Sequence, residues 1–142
     1  AITPAAQKQI DSVEQVANEI ESPSLKPDTM LDVMGAQIPG SYFLDLSSYH
    51  PAEVAATLKI PMLILHGARD YQVTAEDMAG WRKALAGKSG VTIIDYPNLF
   101  HLFMPSSSPG TGLGTPADYQ HASHVVPQVI DDIVTWVQSA KR

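Results

Sequence analysis

Two side chains in this sequence have the type and the placing for proton-transfer chemistry, Asp70 and His101. Asp70 follows the apolar run Pro61-Met62-Leu63-Ile64-Leu65, within His66-Gly67-Ala68-Arg69-Asp70-Tyr71-Gln72-Val73-Thr74. His101 follows Val91-Thr92-Ile93-Ile94-Asp95-Tyr96, within Pro97-Asn98-Leu99-Phe100-His101-Leu102-Phe103. Open α/β sheets carry their functional groups just beyond strand ends, and adjacent parallel strands bring two such loops to one edge. An aspartate beside a histidine there fixes the imidazole tautomer and stabilises the imidazolium formed when the ring takes a proton from a nucleophile. Taken singly, each residue has a plainer use: an Asp after a strand caps a turn, and a His in a loop is solvated. The pair, acid before base and each after a strand, carries the functional reading. It requires a carboxylate oxygen within roughly 2.6–3.2 Å of a ring nitrogen.

The elements that must position this pair follow from pattern. Met62–Leu65 is continuously apolar and ends at His66-Gly67, which fits a strand buried on both faces of a parallel sheet. Thr74 caps a helix with Asp77 three residues on, and Met78, Trp81 and Leu85 line one of its faces. Gly87 and Gly90 end it, Val91–Tyr96 is a second strand, and residues 105–116, rich in Ser, Pro and Gly, are loop. A last helix starts at about Pro127, with Val126, Val129, Ile130, Ile133 and Val137 as its buried stripe. Strand, helix, strand, helix is the order of a parallel α/β sheet. Before residue 60 the pattern is looser. Thr3-Pro4 opens a helix with Ala6, Ile10, Val13, Ala17 and Ile20 on one face, ending before Pro23. Residues 22–51 read as irregular, with apolar clusters at Met30–Met34 and Tyr42–Leu46, and Ala52–Leu58 forms one short helix.

Composition excludes several alternatives. The 142 residues carry a formal charge of −6 with 44% hydrophobic and 17% charged side chains, the balance of an ordinary folded chain. A pI near 5.1, with Arg82–Lys83 and Lys141–Arg142 as the close basic pairs, argues against nucleic acid or an anionic membrane as partner. There is no cysteine, so disulfides, thiolate metal sites and a cysteine nucleophile are all out, while the compartment stays open. Met62–Leu65 is far too short to span a bilayer. The opening Ala-Ile-Thr-Pro is neither a signal peptide nor an initiator methionine, and the expectation is a piece of something longer.

Other candidates are weaker. Asp118, His121 and His124 sit in a loop without metal-ligand spacing. His66 ends a strand and is expected to hydrogen-bond a neighbouring loop. Trp81 and Trp136 fall on apolar helical faces, where packing is the natural role.

The segment Ile60 to Thr74, a strand followed by His-Gly-x-x-Asp, resembles the acid-bearing strand and loop of the α/β-hydrolase superfamily, and Pro97–Phe103 resembles its histidine loop. Together with Tyr42-Phe43-Leu44-Asp45-Leu46 and Thr115-Pro116-Ala117-Asp118-Tyr119, they look like a bacterial group similar to dienelactone hydrolases and S9/S33-type peptidases. The resemblance implies the C-terminal portion of an α/β-hydrolase fold: a helical cap or lid over residues 1–58 and core strands and helices over 59–142. It implies Asp70 and His101 as two members of a Ser-His-Asp triad acting on a small ester or amide, with no metal or organic cofactor. Tyr42, Phe43 and Tyr49, in the segment that forms a lid in this family, would line the substrate pocket. The nucleophile would stand in Gly-x-Ser-x-Gly between a strand and a helix. That motif does not occur: Gly87-Lys88-Ser89-Gly90 is one residue short and follows a helix, and Gly40-Ser41-Tyr42 lacks the context. Since the serine precedes acid and base in this family, it is expected before Ala1, with the sheet's earlier strands and an oxyanion donor. The partner implied is that missing half, or a second copy of the chain. The alternative is a binding or regulatory module that kept the architecture without catalysis.

Overall fold

Thr3 and Pro4 open the first helix as their types predict. In this computed structural model, which describes residues 2–107, 110 and 112–140, α1 spans Pro4–Ile20 and Thr3 Oγ1 accepts the Ala6 N–H at 3.2 Å. Its apolar positions share a face, yet Ile10 and Val13 stay exposed. A hairpin follows, β1 (Met30–Val33) antiparallel to β2 (Ala36–Pro39), then α2 (Gly40–Ser48). Both lie where the sequence reads as irregular. The hairpin turns on Met34-Gly35, both with positive φ (55° and 88°), the backbone of a primed two-residue turn. Asp32 steadies it by accepting from the Gly35 N–H at 2.8 Å and Gln37 Nε2 at 2.9 Å. Methionine where asparagine usually stands hides the turn signal.

The chain divides into two compact units, Ala1–His50 and Pro51–Arg142. The short helix α3 (Pro51–Thr57), read with the first segment, thus belongs to the second. It packs on α4 (Ala75–Ala84), and Lys88 Nζ donates to Ala56 O at 2.9 Å.

In the second unit β3 (Met62–Gly67) and β4 (Val91–Tyr96) pair in parallel, in register from Met62↔Val91 to Gly67↔Tyr96. Between them runs α4, opened by a reciprocal cap: Thr74 Oγ1 accepts the Asp77 N–H, and Asp77 Oδ2 accepts the Thr74 N–H at 2.7 Å. A short 3₁₀ turn at Pro116–Gln120 and the final helix α5 (Pro127–Ala140) complete the unit. Its core is Tyr96, Leu99 and Val129, with Leu65, Ile94, Phe103 and Val126 packed against them. The architecture is mixed α/β with a parallel strand pair.

Burial departs from expectation in two places. Met62–Leu65 of β3 are half-buried rather than covered on both faces. On α5 only Val129 of the expected stripe is buried, while Val126 is half-buried and Ile130, Ile133 and Val137 are exposed. Among the described residues, β3 has β4 alone as strand neighbour, and two strands are too narrow to cover a helix face. Trp81 and Trp136 are half-buried. Ser108, Pro109 and Thr111 of the predicted loop, and the pair Lys141–Arg142, lie outside the described residues. No helix among the described residues is long and apolar enough to cross a membrane.

Leu99 joins β4 to α5 and precedes the histidine loop. Leu99→Ala is expected to destabilise the second unit by about 2–5 kcal/mol, read as a lower urea midpoint. An unchanged midpoint would contradict the assignment of this cluster as the core.

Candidate active site

Both loops beyond the strand ends are built by backbone contact before any side chain acts. The Ala68 N–H donates to Tyr96 O at 3.0 Å and the Arg69 N–H to Leu99 O at 3.0 Å, carrying the parallel ladder past β3 into the acid loop. The two chains run so close at Gly67 that a Cβ there would lie 2.6 Å from Leu99 O and 2.7 Å from Phe100 O. Glycine is the one residue that fits. The histidine loop then folds back on itself. The Phe103 N–H reaches Phe100 O at 2.8 Å and the Phe100 N–H reaches Met104 O at 3.0 Å, which puts His101 in the turn. Phe103 closes it at φ 55°, a left-handed conformation that costs a bulky residue about 1–3 kcal/mol. Its ring packs edge-on to Tyr96, centroids 6.0 Å apart, and its carbonyl takes the Val126 N–H at 3.0 Å. Phe100, only 1% exposed, anchors the turn's other side.

This brings Asp70 and His101 together, Oδ2 to Nδ1 at 2.8 Å. Asp70 is buried, at 4% exposure, and its other oxygen accepts the Gln72 N–H at 2.7 Å and the Val73 N–H at 3.1 Å. Burial pushes the carboxyl up. The hydrogen bond from His101 and the two amides outweigh it, and the group sits below its ordinary value. An ionised carboxylate only accepts, so Nδ1 must carry the ring proton. That leaves the lone pair on Nε2, which has no hydrogen-bond partner among the described residues. The His101 side chain keeps 38% of its surface accessible. A buried, charged acid behind an accessible imidazole with its basic nitrogen free is the arrangement a general base needs.

A third loop braces the pair. Buried Arg69 donates through Nε to Gly112 O at 2.6 Å, and its carbonyl takes the Gly114 N–H at 2.6 Å. Asp118, also buried, accepts from the Ser107 N–H and hydroxyl at 2.6 and 2.7 Å, the Thr115 N–H at 2.7 Å and the Ser106 hydroxyl at 3.1 Å. Those donors, Ser107 foremost, hold its carboxyl far below the usual range. Its carboxylate thus ties the loop together. Among the described residues no group of three His, Asp or Glu gathers as a metal site would. Thr115-Pro-Ala-Asp118 has the spacing of a helix cap, a signal for Asp118 that sequence reading passed over. Arg69 gave no such signal. Tyr119 stands edge-on to both Phe100 (5.3 Å) and Tyr71 (6.4 Å) and contacts Gln72 through its hydroxyl. Aromatic side chains of the second unit thus flank the pair's own loops. Tyr42, Phe43 and Tyr49 lie in the first unit, Tyr42 edge-on to Phe43 at 5.2 Å, with Tyr42 and Tyr49 exposed.

Two outcomes follow from this geometry. Gly67→Ala should push the Leu99–Phe100 backbone away and cost about 1–3 kcal/mol, seen in urea unfolding and in shifted amide resonances at 99–103. Unperturbed resonances there would refute the close approach. Because Asp70 titrates below its unfolded value, its contacts stabilise the fold at neutral pH. That stabilisation fades as pH falls from the ordinary aspartate value, about 4, through the depressed one. Asp70→Asn should therefore flatten the acid limb of a stability–pH curve. Asp118 leaves part of the slope in place. An identical slope in the variant would mean Asp70 is not held as described.

With that geometry in view, the chain is similar to Esterase EstD of Thermotoga maritima, 40% identical over 129 residues. The match covers 89% of this chain and 29% of that protein, so the chain spans less than a third of its relative's length. No protein-family model matches the chain, and no solved structure matches it. What the likeness establishes is that this chain resembles a segment of an esterase-type hydrolase.

Proposed function

We propose that this chain is the C-terminal region of an α/β-hydrolase and supplies the acid and the histidine of a Ser-His-Asp triad. The observation that carries the proposal is the 2.8 Å contact between ionised, buried Asp70 and His101 Nδ1. The likeness to an esterase supports an ester as substrate, with an amide as the related case. His101 Nε2 takes the proton of a serine hydroxyl as its oxygen attacks the acyl carbon. The resulting imidazolium, balanced by Asp70, then protonates the departing alkoxide. Water repeats the cycle on the acyl-serine and releases the acid. This chemistry needs no metal or organic cofactor. The serine lies outside this chain, since no Gly-x-Ser-x-Gly occurs in it. The first unit, residues 1–50, corresponds to the family's cap or lid segment, and Tyr42, Phe43 and Tyr49 are its candidate substrate-contacting aromatics.

The rest of the parent polypeptide is then the chain's natural partner. Two features support it: the outer edge of β3, unpaired among the described residues, and exposed Ile130, Ile133, Val134 and Val137 on α5. An uncovered strand edge beside apolar surface invites strand addition. Without the parent, a second copy is the available cover.

Two measurements test this. The 142-residue chain alone should show no turnover of activated short-chain esters. A longer polypeptide from the same reading frame should be active and lose about 10⁴-fold in kcat with Asp70→Asn. Activity of the short chain that disappears in His101→Ala would show that the nucleophile lies within it. Light scattering of the isolated chain should give a dimer or larger species with rising concentration. A cooperative monomer throughout would contradict the open-edge argument.

A further inference from the structure

A second histidine–aspartate pair is linked to the first through Val73. His66 is the penultimate residue of β3 and is buried, at 5% exposure. Its Nε2 donates to Val73 O at 3.0 Å and its Nδ1 faces Asp95 Oδ1 at 3.2 Å. Asp95 stands on β4 and is bridged through its other oxygen to Arg82 of α4. Asp77, also on α4, interacts electrostatically with the ring. Both ring nitrogens are thus engaged in a position where a strand's apolar run could have ended in an apolar side chain.

What the ring holds is the relevant point. The peptide between Val73 and Thr74 is gripped twice, its carbonyl by His66 Nε2 and its N–H by Asp77 Oδ2 at 2.7 Å. Val73 is also the residue whose own N–H bonds Asp70 Oδ1. Val73 thus carries one bond to His66 through its carbonyl and one to Asp70 through its amide. Resting on the catalytic reading above, we infer that His66 is a positioning residue for Asp70, acting through Val73. It aims the Val73 amide at one carboxylate oxygen so that the other stays directed at His101. An apolar replacement would leave the half-buried Val73 carbonyl without its donor, a loss that favours rotation of the peptide toward water.

Glutamine and asparagine separate this role from general packing. Both are polar, but the Gln amide reproduces the reach of Nε2, whereas the shorter Asn amide reproduces that of Nδ1. The experiment is NMR on the 142-residue chain with labelled His and Asp, comparing wild type, His66→Gln and His66→Asn. It follows the His101 Nδ1 proton, the Asp70 carboxyl titration, and hydrogen exchange of the Gln72 and Val73 amides. In His66→Asn the Nδ1 proton should exchange away, the Asp70 midpoint should move up toward its ordinary value, and the Val73 amide should exchange faster. In His66→Gln all three should stay near wild type. Equal behaviour of the two variants would overturn the inference while leaving the Asp70–His101 pair intact. A wild-type chain with no Nδ1 proton shared with Asp70 would instead overturn the catalytic reading on which it rests.

Discussion

A carboxylate buried without partners is among the most unfavourable things a fold can contain, and Asp70 is both buried and ionised. Everything around it is arranged to make that state tolerable. Two amides of its own loop take one oxygen and the imidazole of His101 takes the other. Remove any of these donors and the proton balance at the histidine changes as well, because the tautomer that frees Nε2 exists only while Asp70 accepts from Nδ1. One hydrogen bond thus links folding stability to chemical competence.

The backbone makes that bond attainable. Parallel pairing of β3 with β4 brings their C-terminal ends level, and the ladder continues through Ala68 and Arg69 into the first loop. Gly67 lets the two loops approach to a separation that any side chain would prevent. Phe100 and Phe103 fix the histidine turn, and the Asp118-centred network ties together the loop that follows it. The left-handed Phe103 shows the order of priorities, since local strain is accepted to keep His101 in the turn.

The strands β3 and β4 and the helices α4 and α5 were legible from strong local signatures: an unbroken apolar run for β3, a cap with its reciprocal acid for α4, a stripe of period three and four for α5. The pairing of Asp70 with His101 followed from topology alone. The hairpin and α2 were not legible. Met34-Gly35 adopts a turn usually marked by asparagine, and Gly40-Ser41 is an unpromising helix start. Burial on α5 was misjudged for a different reason. Periodicity reports which residues share a face, not whether anything covers it, and two strands cannot. The role of Arg69 was hidden, because it arises from contacts between loops rather than from any local pattern, whereas Asp118 carried the spacing of a cap at Thr115-Pro-Ala-Asp118.

The claim that reaches furthest is that His101 activates a serine carried elsewhere in the same polypeptide. A fluorophosphonate probe tests it directly, applied to the protein encoded by the whole reading frame, with the adduct mapped by mass spectrometry. The expected result is a single phosphonylated serine outside the 142 residues, with labelling slowed severely by His101→Ala. An adduct on a serine of this chain, or labelling indifferent to His101, would contradict it.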